Sequence, residues 1–272
     1  MKNLICPICK NNLKRIDKSY KCDNKHTFDI SKEGYVNLLP VNGKKSKDPG
    51  DNLQMITARR SFLQSGYYEK LVKTITKILN DLIVNKNNLE ILDIGCGEGY
   101  YTNYLSNGLN VPNSITGLDI SKSAVKYGSK LHKNVDFIVA SAYNLPIKEN
   151  SMDIVYRIYA PSLSDEVYRV LKSDGIFLTV TPGERHLFQL RELIYDEVKK
   201  ISHKSDENNN FTKFYTSNLK YLIEIDDYNT LKSLIDMTPF GWKISNESLK
   251  ILENMDSWNI ECDFIIDIFR KH

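Results

Sequence analysis

Ile91-Leu92-Asp93-Ile94-Gly95-Cys96-Gly97-Glu98-Gly99 joins an apolar run to three glycines at alternate positions. A short run of Ile and Leu bounded by glycine reads as a buried strand. Glycines lack the Cβ that would block a sharp bend or the close approach of a ligand to backbone. A helix starting just after the turn points its free N–H groups at whatever sits there. The spacing is G-x-G-x-G, one residue shorter than the G-x-G-x-x-G of dinucleotide binders. Asp119 follows Gly99 by 20 residues, at the end of the next apolar run. A carboxylate in that place can accept both hydroxyls of a ribose. Cys96, between two glycines, reads as a packing residue.

The surrounding rhythm supports an α/β chain. Strands are expected over Glu90–Ile94, Ser114–Leu118, Val135–Ala140, Ile154–Ile158 and Gly175–Thr181. Helices are expected over Tyr67–Asn80, Tyr100–Ser106, from a Ser121 N-cap to Leu131, over Leu163–Leu171 and over Leu187–Ile201. Such alternation predicts a parallel sheet covered on both faces. Beyond it, strands are expected at Leu219–Ile225 and Asn259–Phe269, and helices at Tyr228–Asp236 and Glu247–Glu253. Ser205–Asn210 reads as a polar, mobile loop, and Cys262 as core. Strand carboxyl ends meet ligands in open sheets. That makes Arg157 and Tyr159, after the fourth of the five strands, candidates for holding a base or its deprotonated form. The plainer alternative is packing for Tyr159 and an acid partner for Arg157.

The N-terminus carries a second constellation, Cys6-Pro7-Ile8-Cys9, Cys22 and His26, in the pattern C-x2-C-x12-C-x3-H. Three thiolates and one imidazole suit tetrahedral Zn2+ and leave no open position, which predicts a structural ion. So short a segment buries little core of its own, and metal binding supplies its folding energy, about 10–16 kcal/mol in zinc-finger peptides. Disulfides are not expected in a cytoplasmic chain. No apolar run reaches the about 18 residues of a membrane span, and the first residues lack the apolar segment of a secretory signal, so the cytoplasm is the expected location.

Charge is uneven. Residues 1–60 hold 13 Lys and Arg against 6 Asp and Glu, so they carry +7 of a net +3, and the remainder is acidic. That bias suits a polyanion or, more simply, a solvated lysine-rich surface. The expected organisation is a zinc-binding, RNA-recognising module over 1–35, a basic linker or arm over 36–66 containing Lys44, Lys45, Lys47, Pro49 and Gly50 with Arg59 and Arg60 beginning or sitting on a helix, and a catalytic domain over 67–272.

The glycine run preceded by Asp93 resembles motif I of class I S-adenosylmethionine methyltransferases, whose Rossmann-like sheet is the expected fold. Asp93, Gly95, Gly97, Gly99 and Asp119 are then the expected cofactor site. Together with the zinc pattern, further segments resemble bacterial 23S rRNA (guanine-N1)-methyltransferases across almost the whole chain. They are Lys32–Pro40, Asp48–Asp51, Ala58-Arg59-Arg60, Arg157–Pro161, Thr181–Gly183, Arg185-His186-Leu187 and Met237–Phe240. The resemblance implies zinc on Cys6, Cys9, Cys22 and His26. It implies cofactor contacts at Tyr68, Gly97, Glu98 and His186, none of which spacing alone would select at Tyr68 or His186. It further implies a homodimer acting on a hairpin of 23S rRNA, with two specificities for two nearby guanines. Two other readings are a small-molecule methyltransferase and a non-catalytic RNA-binding protein with a degenerate domain. The first leaves the zinc module without a purpose, and the second is opposed by the intact glycines and Asp119.

Overall fold

The computed structural model describes residues 1–40, 50, 52–84, 86–195, 197–203, 205–208 and 210–271. The chain opens with three short antiparallel strands, β1 (Lys14–Ile16), β2 (Ser19–Lys21) and β3 (Thr27–Asp29). So small a sheet cannot bury a core by itself. Its Leu4, Leu13 and Tyr20 instead pack with Leu38, Ile138 and Ile147 of the larger sheet. Leu4 also bridges Ile147, and the terminal ammonium pairs with Asp136 at 2.7 Å. The metal module is thus built onto the edge of the sheet that follows.

That sheet is threaded in the order β4 (Val36–Asn37), α1 (Leu53–Gln64), α2 (Glu69–Leu82), β5 (Leu89–Ile94), α3 (Tyr100–Gly108), β6 (Asn113–Asp119), α4 (Lys122–Leu131) and β7 (Asp136–Val139). It continues with β8 (Met152–Ile158), α5 (Ser164–Val170), β9 (Leu171–Pro182), α6 (Phe188–Glu192) and β10 (Phe211–Ile225). It closes with α7 (Tyr228–Asp236), a 3-10 turn (Pro239–Trp242), α8 (Asn246–Glu253) and β11 (Trp258–Lys271). The strand order is β10-β11-β9-β8-β5-β6-β7-β4. Strands β4 to β9 pair in parallel, whereas β11 runs antiparallel to both β9 and β10.

Covering both faces demands strands that are apolar throughout, and five of the six residues of β5 are buried. Helix α2 buries Leu71, Val72, Ile75 and Leu79 at helical spacing. Ser121 caps α4, its side chain accepting from the Ala124 N–H at 3.4 Å, as its sequence position predicts. Strand β5 pairs with β6 on one side and β8 on the other. The strand order reverses there, so a crevice opens at the carboxyl end of β5.

Several sequence expectations are altered by tertiary contacts. The segment 36–66 is more than an arm. Val36 and Asn37 add a parallel edge strand opposite Ile138 and Val139, and Leu53–Gln64 is a helix capped by Asn52. Arg59 and Arg60 sit on that helix, and Arg59 Nη2 donates to the Met237 carbonyl at 3.2 Å. Lys44, Lys45, Lys47 and Pro49 lie outside the described residues. The helix expected over Leu187–Ile201 forms only at Phe188–Glu192. Past that point the chain is drawn out by longer-range partners. Thr181 and Asp267 bracket His203 at 3.1 and 2.8 Å, and Asp206 accepts from Arg157 Nη2 at 2.7 and 2.5 Å. The polar loop expected over Ser205–Asn210 is therefore tied down: Asn208 donates to Ser164 and Asn210 to Asp165. The penultimate strand reaches back to Phe211, because all of it except Phe214, at a bulge, finds a partner along β11.

Candidate active site and metal centre

A cavity of about 590 Å3 opens at the carboxyl ends of β5, β6, β7 and β8. Its floor is the glycine turn. Gly95, Gly97 and Gly99 have φ of +75°, +56° and +86°, a region costly to residues with a Cβ. The three differ in what surrounds them. A Cβ on Gly95 would lie 2.3 Å from the Ala160 Cβ, and one on Gly99 would lie 2.6 Å from Phe137 Cζ. At Gly97 a Cβ would meet nothing within 4 Å, because that face looks into the cavity. Gly95 therefore lets two turns interlock, Gly99 lets α3 start against Phe137, and Gly97 leaves room for a ligand.

Asp119, at the tip of β6, lines the same space. Its Oδ2 accepts from the Gly97 N–H at 2.9 Å and its Oδ1 from the Ser121 N–H at 2.8 Å. Glu98 is 6% exposed, and burial pushes its carboxyl up to about 7 against the opposing field of Arg60 and Arg59. Arg60 Nε stands 3.9 Å away, an ion pair beyond hydrogen-bond reach, and Glu98 Oε2 has no hydrogen-bond partner among the described residues. A buried acceptor without a hydrogen bond, in a residue lining the cavity, fits a polar ligand group.

Asp93 does not line the cavity and is corrected to a supporting role. It is 2% exposed, and its Oδ2 accepts from Thr102 Oγ1 at 2.6 Å and Tyr156 Oη at 2.9 Å. Burial, outweighing those two donors, raises its carboxyl to about 7. It braces β5 against α3 and β8 from beneath the turn.

A further part of the wall joins residues distant in sequence. His186 Nδ1 accepts from the Asp263 N–H at 3.3 Å. Burial lowers the imidazole to about 4, so it is neutral at physiological pH and carries its proton on Nε2. Nε2 lies 3.5 Å from Tyr68 Oη and 3.4 Å from Tyr159 Oη. Tyr68 is fully enclosed, edge-on to Phe62 and Phe264. Of the two strand-end candidates, Tyr159 lines the cavity and Arg157 does not. Arg157 pairs with Asp206 and donates to the Ala160 carbonyl, so it anchors the loop. Sequence reasoning missed Met55, Arg59 and Leu63 as wall residues, although Arg59-Arg60 was a visible signal.

The second constellation is assembled as expected. Cys6, Cys9, Cys22 and His26 place one donor atom each within 4.8 Å of one another. Two tight knuckles do this. Lys10 N–H returns to the Cys6 carbonyl and Lys25 N–H to the Cys22 carbonyl, with both lysines at φ +63°. Zinc–sulfur bonds of about 2.3 Å in a tetrahedron separate sulfurs by roughly 4 Å, which this cluster matches. The donor set is saturated, so the ion would be structural.

A carboxylate-tipped second strand beside a three-glycine turn, in a sheet of this order, defines an S-adenosylmethionine-dependent methyltransferase, here fused to a zinc ribbon. Residues 4–47 match the zinc ribbon described as RlmA, N-terminal, and residues 85–251 match the family described as methyltransferase domain. The chain belongs to that methyltransferase family, in the branch carrying the N-terminal zinc ribbon. It is 29% identical over 98% of its length, and 96% of the relative's, to Bacillus subtilis YxjB, provisionally named a 23S rRNA (guanine-N(1)-)-methyltransferase. It is 32% identical over 69% of its length, and 66% of the relative's, to the 23S rRNA (guanine(748)-N(1))-methyltransferase of Streptomyces fradiae. A Micromonospora griseorubida protein, also provisionally named a 23S rRNA (guanine-N(1)-)-methyltransferase, is 26% identical over 88% of this chain and 87% of its own.

Proposed function

We propose that the protein transfers a methyl group from S-adenosylmethionine to N1 of a guanine in a hairpin of 23S rRNA. The observation that carries the substrate class is the position of the metal module. Among the described residues the cavity lining begins at Gly50, and Cys6, Cys9, Cys22 and His26 take no part in it. Yet the module is packed onto the catalytic sheet within a region carrying +7. A rigid basic module beside a catalytic cavity suits a large polyanion and is superfluous for a small metabolite. The names of two of these relatives point to the same base and atom.

S-adenosylmethionine supplies an already electrophilic methyl group, so the protein's task is orientation and exclusion of water. In this reading Asp119 accepts the ribose hydroxyls, Gly97 lets backbone approach, and Glu98 takes a donor from the bound molecule. Tyr68 and His186 form another part of the wall, while Asp93, Gly95 and Gly99 keep the turn in shape. The zinc ribbon and α1 grip RNA. We further propose that the protein acts as a homodimer in the cytoplasm. Among the described residues no helix is long and apolar enough to cross a membrane.

Primer extension on 23S rRNA from strains with and without the gene tests the assignment. An N1-methyl blocks base pairing, so a reverse-transcription stop present only with the gene supports it. Unchanged rRNA, with methyl transfer instead to a metabolite fraction, would overturn it. Light scattering on the purified protein tests the dimer.

A further inference from the structure

We propose that Tyr159 donates a hydrogen bond from its phenol to O6 of the target guanine and so makes N1 easier to deprotonate. The inference rests on the guanine-N1 reading above. Its motivation is that, among the described residues, each carboxylate near the glycine turn already faces another partner. Asp93 is off the cavity, Asp119 is engaged with the Gly97 and Ser121 N–H groups, and Glu98 faces Arg60 on the side of the glycine turn.

Four observations single out Tyr159. It has φ +57° although it is aromatic, a strained backbone that persists only where the surroundings enforce it. Its own N–H is held by the Val180 carbonyl at 3.1 Å, which keeps that conformation fixed. It is 43% exposed while lining the cavity, so an entering base can reach it. It is followed by Ala160, whose Cβ fills the space left by Gly95, so the tyrosine stands directly beside the glycine turn.

The hydrogen-bond chain fixes the direction in which the phenol acts. The Asp263 N–H occupies His186 Nδ1, so Nε2–H is the donor toward the two phenol oxygens. A Tyr159 oxygen that accepts from Nε2 keeps its own O–H for a partner in the cavity. A phenol titrates near 10 and is a donor, not a base, at neutral pH. N1 lies in the middle of guanine's pairing edge, so the base must leave its stack and pair to react. As N1 loses its proton, negative charge develops on O6, and a donor aimed there stabilises it as an oxyanion hole does. The step balances: the N1 proton passes to water and the N1–C bond forms as the donor's S–C bond breaks. The sulfonium ends as a neutral thioether.

Tyr159→Phe keeps the ring, its packing and the backbone constraint, and removes only the donor. The test uses full-length, zinc-loaded protein, S-adenosylmethionine and unmodified 23S rRNA transcript. It combines calorimetric cofactor affinity, filter-binding RNA affinity and single-turnover rates from neutral to alkaline pH. Both affinities are expected to stay within about twofold of wild type, and the neutral-pH rate to fall about 100-fold, the scale of one lost oxyanion donor. The wild-type rate levels off at a lower pH than the variant's, so the deficit closes as pH rises. Transcript with 6-thioguanine, whose N1 is more acidic, narrows the deficit at neutral pH. A rate unchanged by the substitution, or one lowered by the same factor at every pH, overturns the proposal, since packing alone would give the latter. Wild-type protein that leaves every guanine N1 of the transcript unmethylated overturns the parent reading instead, and the reverse-transcription stop shows which of the two has failed.

Discussion

Substituting alanine separately at Gly95 and Gly97 should divide folding from cofactor binding. Both positions have positive φ, which costs an L residue about 1–2 kcal/mol. At Gly95 the new methyl also falls 2.3 Å from the Ala160 Cβ. Overpacking of that kind adds about 1–3 kcal/mol. The combined loss of about 2–5 kcal/mol lowers Tm by on the order of 10 °C in a chain of this size. At Gly97 nothing lies within 4 Å of the added methyl, so only the backbone term applies and Tm falls by a few degrees. That methyl projects into the cavity where the donor molecule must lie against the turn. Cofactor affinity should drop at least about tenfold, or about 1.4 kcal/mol. Differential scanning fluorimetry gives the stabilities, and titration calorimetry with S-adenosylmethionine gives the affinities. Wild-type affinity in Gly97→Ala would falsify the placement of the ligand. Wild-type stability in Gly95→Ala would show that the two turns do not interlock.

Cys9→Ser should abolish zinc retention, measured by atomic absorption, and weaken RNA binding while leaving cofactor affinity within about twofold, since the module contributes nothing to the cavity lining. Equal loss of both affinities would contradict that separation. The folded-state value of about 7 for Asp93 lies above the ordinary carboxylate range, so the folded protein holds this proton more tightly than the unfolded chain. Stability contributed at low pH is then lost as pH rises between those values, at up to about 1.4 kcal/mol per pH unit. Asp93→Asn keeps an acceptor for Thr102 and Tyr156 and should flatten that decline. Urea midpoints near about pH 5 and about pH 8 test this, and parallel shifts in both proteins would exonerate Asp93. RNA affinity should fall steeply as salt rises, because phosphate contacts release counterions. A flat salt response in filter binding would remove the basic N-terminal region as the grip.

Which parts were legible in the chain follows from the range of the forces involved. The glycine turn, Asp119 as the end of its strand, the Ser121 cap and the four metal donors are local patterns. Each depends on backbone conformation or ligand spacing over a few residues, or on a single βαβ repeat. Tyr68 and His186 could be named only through family resemblance, since nothing near them in sequence marks a cavity wall. Asp93 was misplaced because a carboxylate before a glycine turn can face either side of its strand. Here Thr102 and Tyr156 claim it from below.

Amino-acid order alone determined that this chain would form an α/β sheet with a ligand turn after its first long strand, and a zinc knuckle pair at its start. Those outcomes need only short-range sterics and the affinity of thiolate for metal. Tertiary structure decided the rest. It brought Tyr68, Tyr159 and His186 around one imidazole proton across 118 residues of chain. It cut α6 short to serve His203 and Asp206, and turned part of an expected arm into β4. In each case a buried polar partner or an open sheet edge far along the chain outweighed the local preference, and such partners exist only once the sheet has closed.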